Sequence, residues 1–156
     1  MSRENYHHGD LRDELLRQAL ALILEKGAES LTLRAVARGA GVSHTAPYRH
    51  FPDKAALIIA VADEGFRQLT ESLREATVGD TPLERFLKGA QAYIQFAVSH
   101  PAHYRVMFGP AVVGLGQGPM QLESANEAFA VLLETIVDAQ QSGVIKEGDP
   151  LHLGVV

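Results

Sequence analysis

Several polar side chains between Leu31 and Lys54 have the size and spacing to contact a nucleic-acid groove. This segment predicts two short helices, over about Leu33–Gly39 and about His44–His50, joined by a turn in which Gly41 tolerates a positive φ. The second helix would carry His44, Thr45, Arg49 and His50 on its polar face. Side chains of these types hydrogen-bond to base edges and phosphates when a helix enters the major groove.

The ends and the inner face of this segment fit the same pattern. Thr32 and Ser43 are natural N-caps for the two helices, and Arg34 and Lys54 would flank the second helix as contacts to phosphates. The inner face would bury Val36, Ala37, Val42, Tyr48 and Phe51 against Leu16, Leu20 and Ile23 of a preceding helix. The pattern is typical of a helix-turn-helix DNA-binding unit. A three-helix packing unit with solvated charges has the same spacing, so spacing by itself leaves both interpretations open.

The residue identities favour DNA binding, because they resemble the signature of the TetR/AcrR family of bacterial repressors. The resemblance covers about residues 10–66 and is carried by Leu31–Ala37, Ala40–Ser43 and Tyr48–Leu57. The lead-in Tyr6–Arg12 and the segment Phe96–Phe108 are similar to one branch of that family, with an effector domain that resembles the WHG type.

The resemblance implies roles for individual residues. Seven positions match DNA-contacting places of the family: Thr32, Arg34, Ser43, Thr45, Tyr48, His50 and Lys54. His44 and Thr45 lie where bases are usually read. Tyr48 is expected to offer its hydroxyl to a phosphate while its ring packs inside. Pro47 is unusual in a helix, but it lies in the first turn, where its missing N–H removes at most one backbone hydrogen bond.

A second set of side chains, in the C-terminal part, could line a cavity. These eight residues lie at helical spacing: Phe66, Tyr93, Phe96, His100, Tyr104, Met107, Phe108 and Phe129. Each of them taken singly fits a core position. As a set they fit an apolar cavity with a few polar groups, the usual form of a small-molecule site. The resemblance implies that such a cavity binds a small hydrophobic or amphipathic effector.

The function implied by the resemblance is ligand-responsive repression of transcription. A homodimer would place two recognition helices in successive major grooves, about 34–36 Å apart, on palindromic double-stranded DNA. An effector would favour a conformation with the wrong helix spacing and so lower the affinity for DNA. Family dimers commonly use the last two helices of each protomer. This chain ends near the start of the first of them. The second domain is therefore expected to be truncated or rearranged at its C-terminus, unless dimerisation uses another surface, such as the helix over about 120–141. The alternative is a truncated helical interaction module without regulated operator binding.

Composition and charge predict two regions. The 156 residues are 46% hydrophobic and 21% charged, with a formal net charge of −5. Residues 1–54 hold eight lysines and arginines against seven acidic residues, whereas residues 55–156 hold six against twelve. The expected division is therefore a helix-turn-helix DNA-binding domain over 1–54 and a helical effector-binding and oligomerisation domain over 55–156.

The expected fold class is all-α, because helix signals predominate and no strand pattern is present. Besides the two short helices, helices are expected over about 10–26, 54–76, 82–98, 102–108 and 120–141. Asp10, Asp53 and Thr81 are the expected N-caps, and residues 109–118 are expected to form a loop. Asp149 and Pro150 would begin one more helix.

The sequence contains histidines, glycines and serines that could bind a metal or a phosphate or act as nucleophiles, but the partner residues that such sites need are missing. His7 and His8 have no third ligand nearby, and Pro101 interrupts the helix that would pair His100 with His103. The stretch 114–119 lacks the Lys-Ser/Thr pair of a phosphate loop, and no nucleophile motif frames a serine. The sequence therefore predicts no enzyme, no metal and no cofactor. The absence of cysteine, of a signal peptide and of an apolar run of ~20 residues indicates a cytoplasmic protein without a membrane partner.

Overall fold

A computed structural model of the protein describes residues 8–114 and 121–150, and every regular element in these ranges is helical. The α-helices are α1 (His8–Lys26), α2 (Leu33–Gly39), α3 (Lys54–Ala76), α4 (Pro82–Ser99), α5 (Pro101–Met107), α6 (Pro110–Val113) and α7 (Glu123–Gln141). Two 3-10 turns, Ala28–Ser30 and Ala46–Arg49, flank α2. The predicted all-α class is confirmed.

Most helix starts follow the N-caps expected from the sequence. Thr32 Oγ1 accepts a hydrogen bond from the Ala35 N–H at 3.1 Å, and Asp53 accepts one from the Ala56 N–H at 2.8 Å. Thr81 and Glu84 form a reciprocal capping box at the start of α4, with both bonds at 3.2 Å. Each cap satisfies backbone donors that a helix start leaves open.

Three glycines with a positive φ follow helices in the described part of the chain, and the first is Gly27 after α1, with φ +84°. Gly41 has φ +67° after α2, and Gly143 has φ +72° after α7. After α2 the Val42 N–H donates to the Ala37 carbonyl at 3.0 Å, and the Gly41 N–H donates to the Arg38 carbonyl at 3.2 Å. This paired arrangement is a Schellman motif, so the turn that Gly41 was predicted to make is confirmed.

Some boundaries differ from the sequence expectation. Helix α1 begins at His8, earlier than Asp10, and α7 begins at Glu123, later than Met120. The predicted loop over 109–118 is wrong in its first part, because Pro110 begins the short helix α6 and its carbonyl accepts the Gly114 N–H at 2.7 Å. Its later part, and the residues after Pro150, lie outside the described residues.

The chain divides into two compact units whose boundary falls inside α3. The first unit comprises Met1–Ala62 and Ala102–Gly116, and the second comprises Asp63–Pro101 and Gln117–Val156. Helices α5 and α6 therefore belong with the helix-turn-helix segment. This division does not coincide with a boundary after residue 54.

The first unit has a continuous apolar core. Its buried side chains include Leu15, Leu16, Ala19, Ile23, Leu31, Val36, Ala37, Phe51, Leu57 and Val61. Full burial of a Leu, Ile, Val or Phe side chain stabilises by about 1.5–3 kcal/mol. Helices α1 and α2 approach closely at Gly39, where a Cβ atom would come 2.5 Å from the Oε1 atom of Gln18. The core thus fixes α2 and the turns on either side of it.

In the second unit α4 packs against α7. Gly89 of α4 is buried, and a Cβ there would meet the Thr135 side chain at 3.8 Å. Phe66 is fully buried, with its ring centroid 6.2 Å from that of Phe129. Another face of α4 leaves large apolar side chains exposed, namely Leu83, Leu87, Ile94 and Val98.

Candidate nucleic-acid interface

The element that follows Gly41 is shorter and tighter than the sequence predicts. A helix over His44–His50 is expected, but the structure has a 3-10 turn over Ala46–Arg49. Pro47 explains the difference, because it has no N–H to donate to the Ser43 carbonyl in an α-helical bond. That carbonyl instead accepts the Ala46 N–H at 3.0 Å, one residue closer in the chain. The predicted first turn of a recognition helix is therefore present as a 3-10 turn.

Most of the predicted DNA-contacting side chains lie exposed on this element and on α2. Exposed residues of the set are Thr32, Arg34, Ser43, His44, Thr45, Tyr48 and Arg49. Arg38, in the last turn of α2, is exposed as well and was missed, although it lies one helical turn after Arg34. Residues 31–52 contain three arginines and no acidic residue. A protein with an overall charge of −5 thus has a local surface that suits phosphate.

The hydroxyl groups of this surface have local partners. Thr32 Oγ1 is occupied as the N-cap of α2. Ser43 is predicted to cap the next helix, but its Oγ lies 3.2 Å from Thr45 Oγ1 instead, and the turn has Thr45 as N-cap without a side-chain bond. A hydroxyl has one donor and two acceptor positions, so each of these groups keeps capacity for a further bond.

Tyr48 and His50 are oriented differently from the sequence expectation. The prediction that the Tyr48 ring packs inside is wrong, because Tyr48 is 52% exposed. Pro47 is buried in this turn, so the next residue along faces outward. His50 is half-buried, and its Nε2 atom is shielded from solvent with no hydrogen-bond partner among the described residues. Contact between that nitrogen and DNA would require the ring to move.

Two cations around this surface are tied to the fold. Lys54 Nζ donates to the Glu29 carbonyl oxygen at 3.0 Å, which links the start of α3 to the turn after α1. The Arg12 guanidinium lies 5.6 Å from the centroid of the Phe51 ring, a cation–π distance. Lys54 retains two N–H donors beyond this bond.

The eight predicted effector-contacting residues are divided between the two units. Tyr104, Met107 and Phe108 belong to the first unit, whereas Phe66, Tyr93, Phe96, His100 and Phe129 belong to the second. In the first unit, Tyr104 and Phe108 line a cavity of about 810 Å³, and Met107 is buried. In the second, Phe96 and His100 stack with centroids 4.7 Å apart and line a cavity of about 370 Å³. Phe66, Tyr93 and Phe129 do not line either cavity.

Two other kinds of site are absent from residues 8–114 and 121–150. These ranges contain no group of three or more His, Cys, Asp or Glu side chains that could hold a metal ion. In the same part of the chain, no helix combines the length and apolarity needed to cross a bilayer.

Comparison with protein families decides the class. Residues 15–61 match the N-terminal model described as bacterial regulatory proteins of the tetR family. Residues 86–156 match a model described as the tetracyclin repressor-like C-terminal domain. The chain belongs to the TetR family. Both matched models describe regulatory proteins and not enzymes.

Two curated proteins are similar to part of this chain. The chain is 27% identical to the HTH-type transcriptional regulator Rv1816 of Mycobacterium tuberculosis, over 70% of its own length and 50% of that protein's. It is 37% identical to the nucleoid occlusion factor SlmA of Vibrio vulnificus, over 65% of its own length and 53% of SlmA's. The chain thus spans about half the length of these curated relatives.

A solved structure extends the likeness to nearly the whole chain. A protein of unknown function from Rhodococcus sp. RHA1 is 33% identical and superposes with a TM-score of 0.76. The match covers 98% of this chain and 79% of the Rhodococcus chain. A bacterial regulatory protein of the tetR family from Rhodococcus RHA1 also superposes, with a TM-score of 0.77 at 19% identity over 92% of this chain and 77% of its own. The TetR-like fold therefore includes the second unit as well as the helix-turn-helix.

Proposed function

We propose that this TetR-family protein is a ligand-responsive repressor that binds palindromic double-stranded DNA as a homodimer. One observation carries the DNA-binding part: residues 31–52 form an exposed surface with three arginines and no carboxylate, on a helix-turn-helix unit. Phosphate attraction supplies much of the affinity of such surfaces, and exposed polar side chains supply base selection.

The exposed residues divide by their chemistry and position. Arg34 and Arg38 lie on α2, and Lys54 lies at the start of α3. These three cations flank the 3-10 turn Ala46–Arg49 in the chain and would bind the phosphates on either side of it. His44, Thr45 and Arg49 belong to the 3-10 turn and its entry, where they would meet base edges. Ser43 and Tyr48 carry hydroxyls that suit phosphate oxygens.

The homodimer is proposed because one protomer reads only one half-site. The exposed side chains of Leu83, Leu87, Ile94 and Val98 recur along α4 at helical spacing, and a second copy of the chain would cover them. The sequence offered α7 as a candidate surface, but no large apolar side chain among the described residues of α7 is strongly exposed. The α4 stripe is therefore the better-supported surface for pairing.

An effector would act by favouring a dimer with the wrong spacing between the two DNA-binding turns. The cavity beside Phe96 and His100 supports a sensing role for the second unit, because an aromatic wall and the polar groups Ser72 and Gln95 share it. Action on DNA places the protein in the cytoplasm. A truncated interaction module without regulated DNA binding is the rival function.

The repressor is tested by selecting fragments of the source genome with the purified protein and footprinting the enriched sites. The expected footprint is a palindrome whose half-sites lie one helical turn, or a whole number of turns, apart. Enrichment of no sequence over random DNA would contradict the repressor and favour the interaction module.

A further inference from the structure

The first unit contains a cavity that the DNA-binding function does not use. It measures about 810 Å³ and is lined by the turn after α1, the start of α3, and α5 and α6 with the residues next to them. Small-molecule sites in proteins have volumes of about 300–1,000 Å³. The cavity is thus large enough for a molecule with a medium-length alkyl chain.

Its walls are largely apolar. Ile58 is buried, and Phe108 and Ala111 are half-buried at its surface. The Tyr104 and Phe108 rings lie 4.7 Å apart and are inclined at 48°, which gives the cavity an aromatic corner. Such walls favour an alkyl chain, because each buried methylene contributes to binding through the hydrophobic effect.

Its charged groups are mainly cationic. Lys54 and Arg105 line the cavity, and Glu29 is the one carboxylate among the described residues that line it. Arg105 forms no ion pair among the described residues. Lys54 uses one donor on the Glu29 carbonyl oxygen and keeps two. An anionic group therefore has two cations available to it, whereas a cationic group would meet like charge.

We propose that this cavity binds an amphipathic carboxylate, with the acid group on Lys54 and Arg105 and the alkyl chain against Ile58 and Phe108. The charge of the cavity and its apolar walls select this class over neutral or cationic amphiphiles. A carboxylate bound to Lys54 would also neutralise the charge that attracts a DNA phosphate, so the two anions compete for one ammonium group. The competition rests on the proposed DNA-binding function; binding of the carboxylate does not.

Binding is tested without DNA, by titrating the purified protein calorimetrically with decanoate and with decan-1-ol. Decanoate is expected to bind saturably and more tightly than the alcohol. Lys54→Gln and Arg105→Gln are each expected to weaken decanoate binding by about tenfold or more, since each removes a charge-assisted hydrogen bond. Arg67→Gln, which removes an exposed cation that does not line the cavity, controls for net charge. Equal binding to all four proteins, or no binding of decanoate, would overturn the proposal.

Ala111→Phe provides a second variant that leaves both cations in place. It places a phenyl ring in the space that the alkyl chain would occupy and is expected to weaken decanoate binding strongly. Undiminished binding to a folded Ala111→Phe protein would place the ligand elsewhere and overturn the proposed site.

Competition is tested separately, with the footprinted DNA and increasing decanoate. Release of DNA from the wild-type protein, but not from Ala111→Phe, is the expected result. Failure to bind DNA without decanoate would count against the proposed function and not against the cavity. Decanoate binding without release of DNA would overturn the competition for Lys54.

Discussion

Arg85 on α4 and Asp138 on α7 join the two packed helices of the second unit. Arg85 donates from Nε and Nη2 to the same oxygen, Oδ2 of Asp138, at 3.1 and 2.5 Å. Its Nη1 donates to the Gly79 carbonyl oxygen at 2.8 Å, in the loop before α4. One guanidinium therefore fixes a helix pair and the entry to one of its helices.

The first prediction concerns this ion pair. A double-mutant cycle with Arg85→Met and Asp138→Asn is expected to give a coupling free energy of about 1 kcal/mol, because the pair is charge-assisted but only part-buried. Urea unfolding measures it. The more exposed pair Arg67 and Asp63 serves as the matched control and is expected to give about half as much or less. Coupling in the Arg85 cycle no larger than in the control would show that the contact does not join the helices.

The second prediction is a pH dependence from the α4 capping box. The hydrogen bond from the Thr81 backbone N–H lowers the pKa of Glu84 below its ordinary value of 4.5. A carboxylate whose pKa is lowered by folding stabilises the fold above its unfolded pKa, and this stabilisation is lost as the pH falls through the folded pKa. Glu84→Gln should therefore lower the urea midpoint at about pH 6.5 and have a smaller effect at about pH 3.5. The same difference at both pH values would contradict the assigned bond.

The third prediction concerns the backbone at Gly41. Its φ is +67°, and no heavy atom lies within 4 Å of a Cβ built there. Gly41→Ala therefore meets no steric neighbour and is expected to cost about 1–2 kcal/mol through backbone strain alone. Gly41→Asn should cost less, since asparagine tolerates the left-handed region. Gly148→Ala is the control, because Gly148 has no positive φ. Thermal unfolding in which Gly41→Ala and Gly148→Ala match the wild type would contradict the turn.

The fourth prediction concerns pairing through α4. Ile94→Glu places a charge in the exposed apolar stripe and is expected to shift the sedimenting species from dimer to monomer. Val78→Glu makes the same change at an exposed residue outside α4 and should leave the dimer intact. Sedimentation velocity distinguishes these outcomes. A wild-type monomer, or a dimer that survives Ile94→Glu, would exclude the α4 stripe as the dimer surface.

The sequence predicted the features that depend only on residues close together in the chain, namely helix caps and the turn after α2. Thr32, Asp53 and Thr81 cap helices as expected, and Gly41 makes the turn, because each acts through bonds within a few residues. Pro47 was recognised as unusual, yet its effect on helix type and on the direction of Tyr48 was not anticipated. That outcome depends on which side chain the core buries, and the structure buries Pro47.

Tertiary packing accounts for what the sequence pattern left out. Tyr104 and Phe96 belong to one set of residues with helical spacing in the sequence. The structure nevertheless places them in different compact units, because Tyr104 lies on α5, which packs in the unit of the helix-turn-helix. The cationic pair Lys54 and Arg105 is 51 positions apart in the chain and is brought to one cavity by the fold. Hydrophobic periodicity reports local secondary structure and does not predict contacts between residues so far apart in the chain.

The most direct test of the proposed DNA interface is the affinity of three variants for the footprinted DNA, measured by fluorescence anisotropy over a range of salt concentrations. Arg34→Ala should weaken binding to all sequences and reduce the salt slope by about 1. His44→Ala should weaken binding to the selected site by about 5- to 150-fold and have little effect on random DNA. Arg67→Ala, outside the interface, should match the wild type. Unchanged affinity for the selected site in both Arg34→Ala and His44→Ala would contradict the assignment of this surface to DNA.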